Sequence, residues 1–165
     1  MADVQAFLDS MLDHDRQTLA DRLEEASARL ARLGPQIKRD RGDEASEWTP
    51  HEVLAHIAVL SKFYGVLVHR ISSGQMNELD LLANVNLRDV AGHQMSELEP
   101  AELLGMALAD HQRTAKLLRT AEPAWLRRAA VMPDGEAATA VDIARLPLIN
   151  HLEMHVDQLE KTLGS

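Results

Sequence analysis

The chain has 165 residues, a formal net charge of −9 and no cysteine. That length fits one domain, residues 1–165, able to bury a core. The acidic balance argues against a nucleic-acid-binding surface and an anionic membrane surface, and the missing thiols exclude disulfides, thiolate metal ligands and a cysteine nucleophile.

Apolar residues make up 45 % and aromatic residues 3 %. Leu, Ala, Glu and Arg dominate, and these are good helix formers. No apolar run approaches the ~18 residues a membrane-crossing helix needs. The N-terminus carries acids early and lacks the basic n-region of a secretory signal, so a cytoplasmic location is expected.

The first helix is predicted from about Asp3 to Leu33. Phe7, Leu8, Met11, Leu12, Leu19, Leu23, Ala26, Leu30 and Leu33 recur at three- and four-residue steps, and Gly34-Pro35 ends the pattern. A charged loop, Lys38 to Glu47, follows. The second helix has the clearest start: Thr49 as N-cap, Pro50 at the first helical position, Glu52 completing a capping box, and Trp48 and Val53 spaced for a hydrophobic staple. It runs to about Ser72, with Val53, Ile57, Leu60, Tyr64, Leu67 and Ile71 as its buried stripe.

Residues Gln75 to Glu99 hold the polar stretch Asn84-Val85-Asn86 and at most one short helix. The third helix starts at Pro100 and ends near Glu122-Pro123, with Leu104, Ala107, Leu108, His111, Ala115 and Leu118 on one face. A helical turn around Trp125 leads to the turn signal Met132-Pro133-Asp134-Gly135. The fourth helix is capped by Thr139 with Asp142, and Pro147 inside it predicts a kink or a fresh start. Ile149, Leu152, Val156, Leu159 and Leu163 form its stripe. The whole reads as an all-α four-helix bundle of antiparallel long helices with one longer connection between helices 2 and 3.

Eight histidines stand in this frame. His151 and His155 are four apart, hence on one helical face beside the apolar stripe, where imidazoles can share a metal ion. Chance also places two of eight histidines at such spacing. The zincin pattern is absent, because Leu152 follows His151 where a glutamate base would stand. His56 lies within the stripe of the second helix, between Val53 and Leu60. A buried imidazole needs a partner, so His56 is either a hydrogen-bonded core residue or the third ligand. His111 reads as a core histidine, with a fourth-ligand or supporting role as the alternative. His14, His51, His69 and His93 read as surface residues.

The segment WTPHEVLAHI, Trp48 to Ile57, resembles the second-helix signature of the DinB/YfiT-like superfamily, and NHLEMHVDQL, Asn150 to Leu159, resembles its fourth-helix motif. Trp125, the Asp134-Gly135 turn and the Thr139 to Asp142 helix start fit the same pattern. The resemblance implies a divalent metal, zinc or nickel, on His56, His151 and His155. It further implies a homodimer and a stress or detoxification role as a metal-dependent thiol S-transferase, with a small-molecule substrate and a low-molecular-weight thiol as co-substrate. A hydrolase using metal-bound hydroxide and a non-catalytic, metal-stabilised bundle are the alternatives. Asn84, Asn86 and Arg88 either line the mouth of such a site or belong to a solvated loop.

Overall fold

The computed structural model describes residues 2–40, 42, 47–80 and 94–164. Helix α1 spans Ala2–Leu33, α2 Pro50–Ser72 and α3 Pro100–Thr120. A single turn, α4 (Pro123–Leu126), precedes strands β1 (Ala129–Val131) and β2 (Ala137–Thr139). The fourth rod is built from α5 (Ala140–Ile143), a π-helical segment (Ala144–Asn150) and α6 (His151–Leu163).

The cap signals form as predicted. Thr49 and Glu52 exchange side-chain hydrogen bonds with each other's backbone N–H at 3.2 and 3.1 Å, and Thr139 and Asp142 repeat the arrangement at 3.1 and 2.9 Å. Pro147 produces a π-helical segment rather than a break. Proline offers no N–H to the carbonyl of Ile143, so the wider i→i+5 turn carries the chain past it.

Side-chain pairs fix the helix directions. On α3, His111 meets Ser27 of α1, and Arg119, farther along, meets Gln17, Asp21 and Glu24, so α1 and α3 are antiparallel. Moving along α2, His51 bonds Leu98, Ser61 bonds His111, and Gly65 abuts Thr114, so α2 and α3 are parallel. Arg22 meets Glu153 and Arg29 meets Glu160, so α1 and α6 are also parallel, which leaves α2 and α6 antiparallel. The long connection foreseen between the second and third helices is what lets two neighbours run parallel: the chain must return to the same end before α3 begins.

Among the described residues, Leu19, Leu23, Leu30, Leu54, Ile57, Leu60, Leu103, Leu118, Leu148 and Ile149 are fully buried between the four rods. By length and composition α2 would suffice to cross a membrane, which corrects the expectation that no segment would. Two thirds of its apolar window is buried inside the bundle, as for the core helix of a globular domain. Phe7, Leu8 and Met11, part of the apolar pattern of the first helix, are exposed together with Val4, and burial begins at Leu12. At ~1.5 Å per residue the 32-residue α1 outruns the 21-residue α3, and its first turns reach past the end of α3, where Asp9 pairs with Arg127.

Strand signals are sparse in the sequence, with few β-branched runs and 3 % aromatic residues. Ala129–Val131 and Ala137–Thr139 nonetheless pair as an antiparallel hairpin around Gly135, whose φ of +86° suits glycine. Glu78 adds a parallel bridge to Val131. The predicted short helix within Gln75 to Glu99, and Asn84, Asn86, Arg88 and His93, fall largely or wholly outside the described residues.

Candidate metal centre

The second helix sets the first ligand. Its capping box fixes where the helix begins, and His56 follows seven residues after Thr49 on the inward face, only 9 % exposed. Beyond the π-helical segment, α6 presents His151 and His155 one turn apart toward the same point, with His155 7 % exposed. The three rings converge. Their centroids are 4.7 Å apart for His56–His155 and for His151–His155, and 5.1 Å for His56–His151. One nitrogen from each lies within 4.8 Å of the other two.

The far side of each α6 ring is anchored. His151 Nδ1 faces the Pro147 carbonyl at 3.2 Å, and His155 Nδ1 faces the Gln158 carboxamide oxygen at 3.0 Å. Both oxygens can only accept, so each Nδ1 carries a proton and donates, which leaves Nε2, turned toward the centre, as the nitrogen that offers a lone pair when the ring is neutral. His56 Nε2 and His151 Nε2 approach to 3.3 Å. Two nitrogens bound tetrahedrally to one ion at 2.0–2.1 Å would stand about 3.4 Å apart. The donor set therefore fits a divalent ion of borderline softness such as zinc or nickel. Among the described residues no carboxylate joins the cluster.

Trp48 forms one wall. Its ring lies 4.9 Å from that of His56 and 6.4 Å, nearly stacked, from that of His155, with half its surface open to solvent. The sequence suggested a staple between Trp48 and Val53; the ring contacts found are with the two histidines. A groove of about 780 Å³ opens beside it, lined by Trp48, Asn150, Glu153, Met154, Asp157 and Gln158 among others. Glu153 is turned to Arg22, which its Oε2 meets at 3.2 Å, and Asp157 and Glu160 hold Arg29. These pairs tie α6 to α1 and engage the acids with arginines.

The remaining histidines separate cleanly. His111 is a core residue, its Nε2 2.7 Å from Ser61 Oγ and its Nδ1 2.9 Å from Ser27 Oγ. Burial pushes its pKa down to about 4, slightly opposed by the charge of Asp110. His51 corrects the surface reading: it is fully buried, accepting the Asp40 N–H at 3.1 Å on Nδ1 and donating from Nε2 to the Leu98 carbonyl at 2.8 Å. The first turn of α2 lies beneath the chain on either side of it, which a helical wheel does not reveal. His14 and His69 are exposed. Sequence reasoning missed Gln158 as an anchor, though its position three residues after His155 is the available signal.

The same arrangement of helices occurs in two solved structures. A mycothiol-dependent maleylpyruvate isomerase superposes with a TM-score of 0.59 at 16 % identity, over 92 % of this chain and 59 % of that one. YfiT from Bacillus subtilis, described as a probable metal-dependent hydrolase with an unusual four-helix bundle topology, superposes with a TM-score of 0.52 at 18 % identity, over 94 % and 87 %. This chain has the YfiT-like bundle fold. The likeness agrees with the resemblance carried by the Trp48 to Ile57 and Asn150 to Leu159 motifs. It extends to the fold alone, and the chain spans well under two thirds of the isomerase. No family model matches the sequence, and no curated protein does.

Proposed function

We propose that His56, His151 and His155 hold one divalent metal ion, and that the protein is a metal-dependent thiol S-transferase or a related detoxification enzyme. The observation that carries the reading is the convergence of three imidazoles, two of which have Nδ1 anchored on fixed acceptors. Three neutral ligands leave coordination open, the hallmark of catalytic rather than closed structural sites. When bound, the ion supplies a positive charge that lowers the pKa of a thiol or water ligand.

The chain's own residues supply orientation and shelter. The Pro147 carbonyl and Gln158 hold the α6 rings in the ligating tautomer. Trp48 covers one side of the cluster, and the groove beside it has room for a small-molecule substrate. With no cysteine in the chain, a thiol would come from solution.

A hydrolase is the second reading, favoured by the description of YfiT. Against it stands Glu153, the acid nearest in sequence between the two α6 histidines, whose carboxylate is committed to Arg22. The homodimer, implied by the family resemblance, and the cytoplasmic location are proposals of the same standing; light scattering that finds only monomer at about micromolar concentration would end the first.

The test is a conjugation screen on the metal-loaded protein with a panel of bacterial thiols and electrophiles, run beside His155→Ala. Thiol-dependent loss of an electrophile that vanishes in the variant while helicity is kept supports the transferase. Thiol-independent hydrolysis selects the second reading. No turnover, with a lower melting temperature as the main effect of the variant, leaves a structural ion.

A further inference from the structure

The start of α1 carries its apolar residues on a face that its own bundle does not use. Traced back in steps of three and four, the buried line through Leu30, Leu23, Leu19 and Leu12 arrives at Asp9 and Gln5. These two polar residues hydrogen-bond each other at 3.0 Å, and Asp9 also holds Arg127, just past α4. Val4, Phe7, Leu8 and Met11 lie on a neighbouring face instead and are 59, 63, 47 and 56 % exposed. Four large apolar side chains on one face of a helix are costly to leave in water.

The pattern is its own complement. The four positions are symmetric about a point between Phe7 and Leu8. A second α1, running antiparallel across a two-fold axis at that point, therefore sets Val4 against Met11 and Phe7 against Leu8 in both directions. Each pair joins a larger side chain to a smaller one. The same axis sets the exposed Asp3 of one helix across from the exposed His14 of the other. The acids along the flank do not oppose the approach: Asp9 is paired with Arg127, Asp13 with Arg16 and Asp15 with Arg145. In a chain of net charge −9 this makes the patch a neutralised region where a like chain can be met. An anionic lipid surface fits poorly, because residues 1–15 hold four acids and no Lys or Arg.

We propose that two copies of this chain pair through Val4, Phe7, Leu8 and Met11 of α1, antiparallel about a two-fold axis. The proposal rests on the homodimer reading and names the face that makes it. The four side chains expose on the order of 400 Å² per copy, a patch size that is often functional. Pairing removes about 800 Å² of apolar surface. Homodimer interfaces are roughly 65 % apolar, which brings the whole to about 1,200 Å², the lower end of stable interfaces. None of the four residues lines the groove beside the histidine cluster, so the pairing leaves that groove open.

The experiment is sedimentation velocity on the full chain from about 1 to 100 μM, beside Phe7→Glu and Met11→Glu. The wild type should sediment as twice 18.3 kDa, and each variant should dimerise at least about tenfold more weakly. Both residues are exposed, so the variants should keep a cooperative melt and the wild-type helicity. A second arm uses the absence of cysteine. Leu8→Cys, next to the axis, should be captured as a covalent dimer by a short bis-maleimide, whereas Val66→Cys, exposed on α2, should not. A wild type that stays monomeric throughout overturns the proposal together with the homodimer. A dimer that persists unchanged in both variants, or that cross-links no better through Leu8→Cys than through Val66→Cys, overturns the proposal alone and leaves a dimer built on another face. A monomer that binds anionic phospholipid vesicles, and loses them in Phe7→Glu, overturns it in favour of a membrane.

Discussion

His155 and His111 are both buried imidazoles, and their partners set them apart. His155 spends Nδ1 on Gln158 and turns Nε2 to the other histidines; His111 spends both nitrogens on serines. Replacing Gln158 with leucine removes the anchor without touching a ligand. We expect metal affinity to fall about 10- to 100-fold with the circular dichroism spectrum unchanged, measured by competition with a chromophoric chelator; unchanged affinity would show that the anchor is idle. His111 gives a pH prediction. It takes up its proton only near pH 4 when folded, against about 6.5 when unfolded. Between those values the unfolded chain binds more protons, so stability is fully present above the higher pKa and is lost as pH falls toward the lower one. The loss reaches up to about 3 kcal/mol. Urea melts at several pH values should show a shallower acid decline in His111→Gln than in the wild type, and parallel declines would contradict the assignment.

At the scale of elements, local chemistry decided what was readable. Thr49-Pro50 and Thr139-Asp142 form the caps their residue types predict, because a capping box is settled within four residues. The cost of Thr49→Ala should be about 1 kcal/mol by urea denaturation, and a neutral result would mean the cap is replaced from elsewhere. The hairpin was not readable: its strands are three residues each and mostly alanine, and the pairing depends on what lies alongside. The π-helical segment was half readable, since proline announces a disturbance without saying which. It sits directly before the two α6 ligands, so its wider turn sets their rotation about the helix axis. Pro147→Ala restores an N–H for the Ile143 carbonyl and favours an ordinary α-turn. We expect at least about tenfold weaker metal binding at near-equal helicity; equal affinity would separate the segment from the site.

Across the whole molecule, the site exists because two antiparallel rods, α2 and α6, face each other at one level. Their sequence separation is long, His56 and His151 lying 95 positions apart, so periodicity could show that each histidine points inward but not that they meet. The motif resemblance supplied that step in advance. The directions of α3 and α6 against their neighbours, set by Arg119, Arg22 and Arg29, were beyond a sequence reading because those charges look like ordinary solvated faces. The same ion pairs hold α6 in place against α1 and so carry the ligand geometry. The central claim is the three-histidine metal site, and metal content measures it most directly. Protein purified without chelator and reloaded with zinc or nickel should carry about one ion per chain, and His56→Ala, His151→Ala and His155→Ala should each weaken retention by at least about tenfold while staying helical. A folded wild type that retains no divalent ion, or three variants that bind it as tightly as the wild type, would contradict the account.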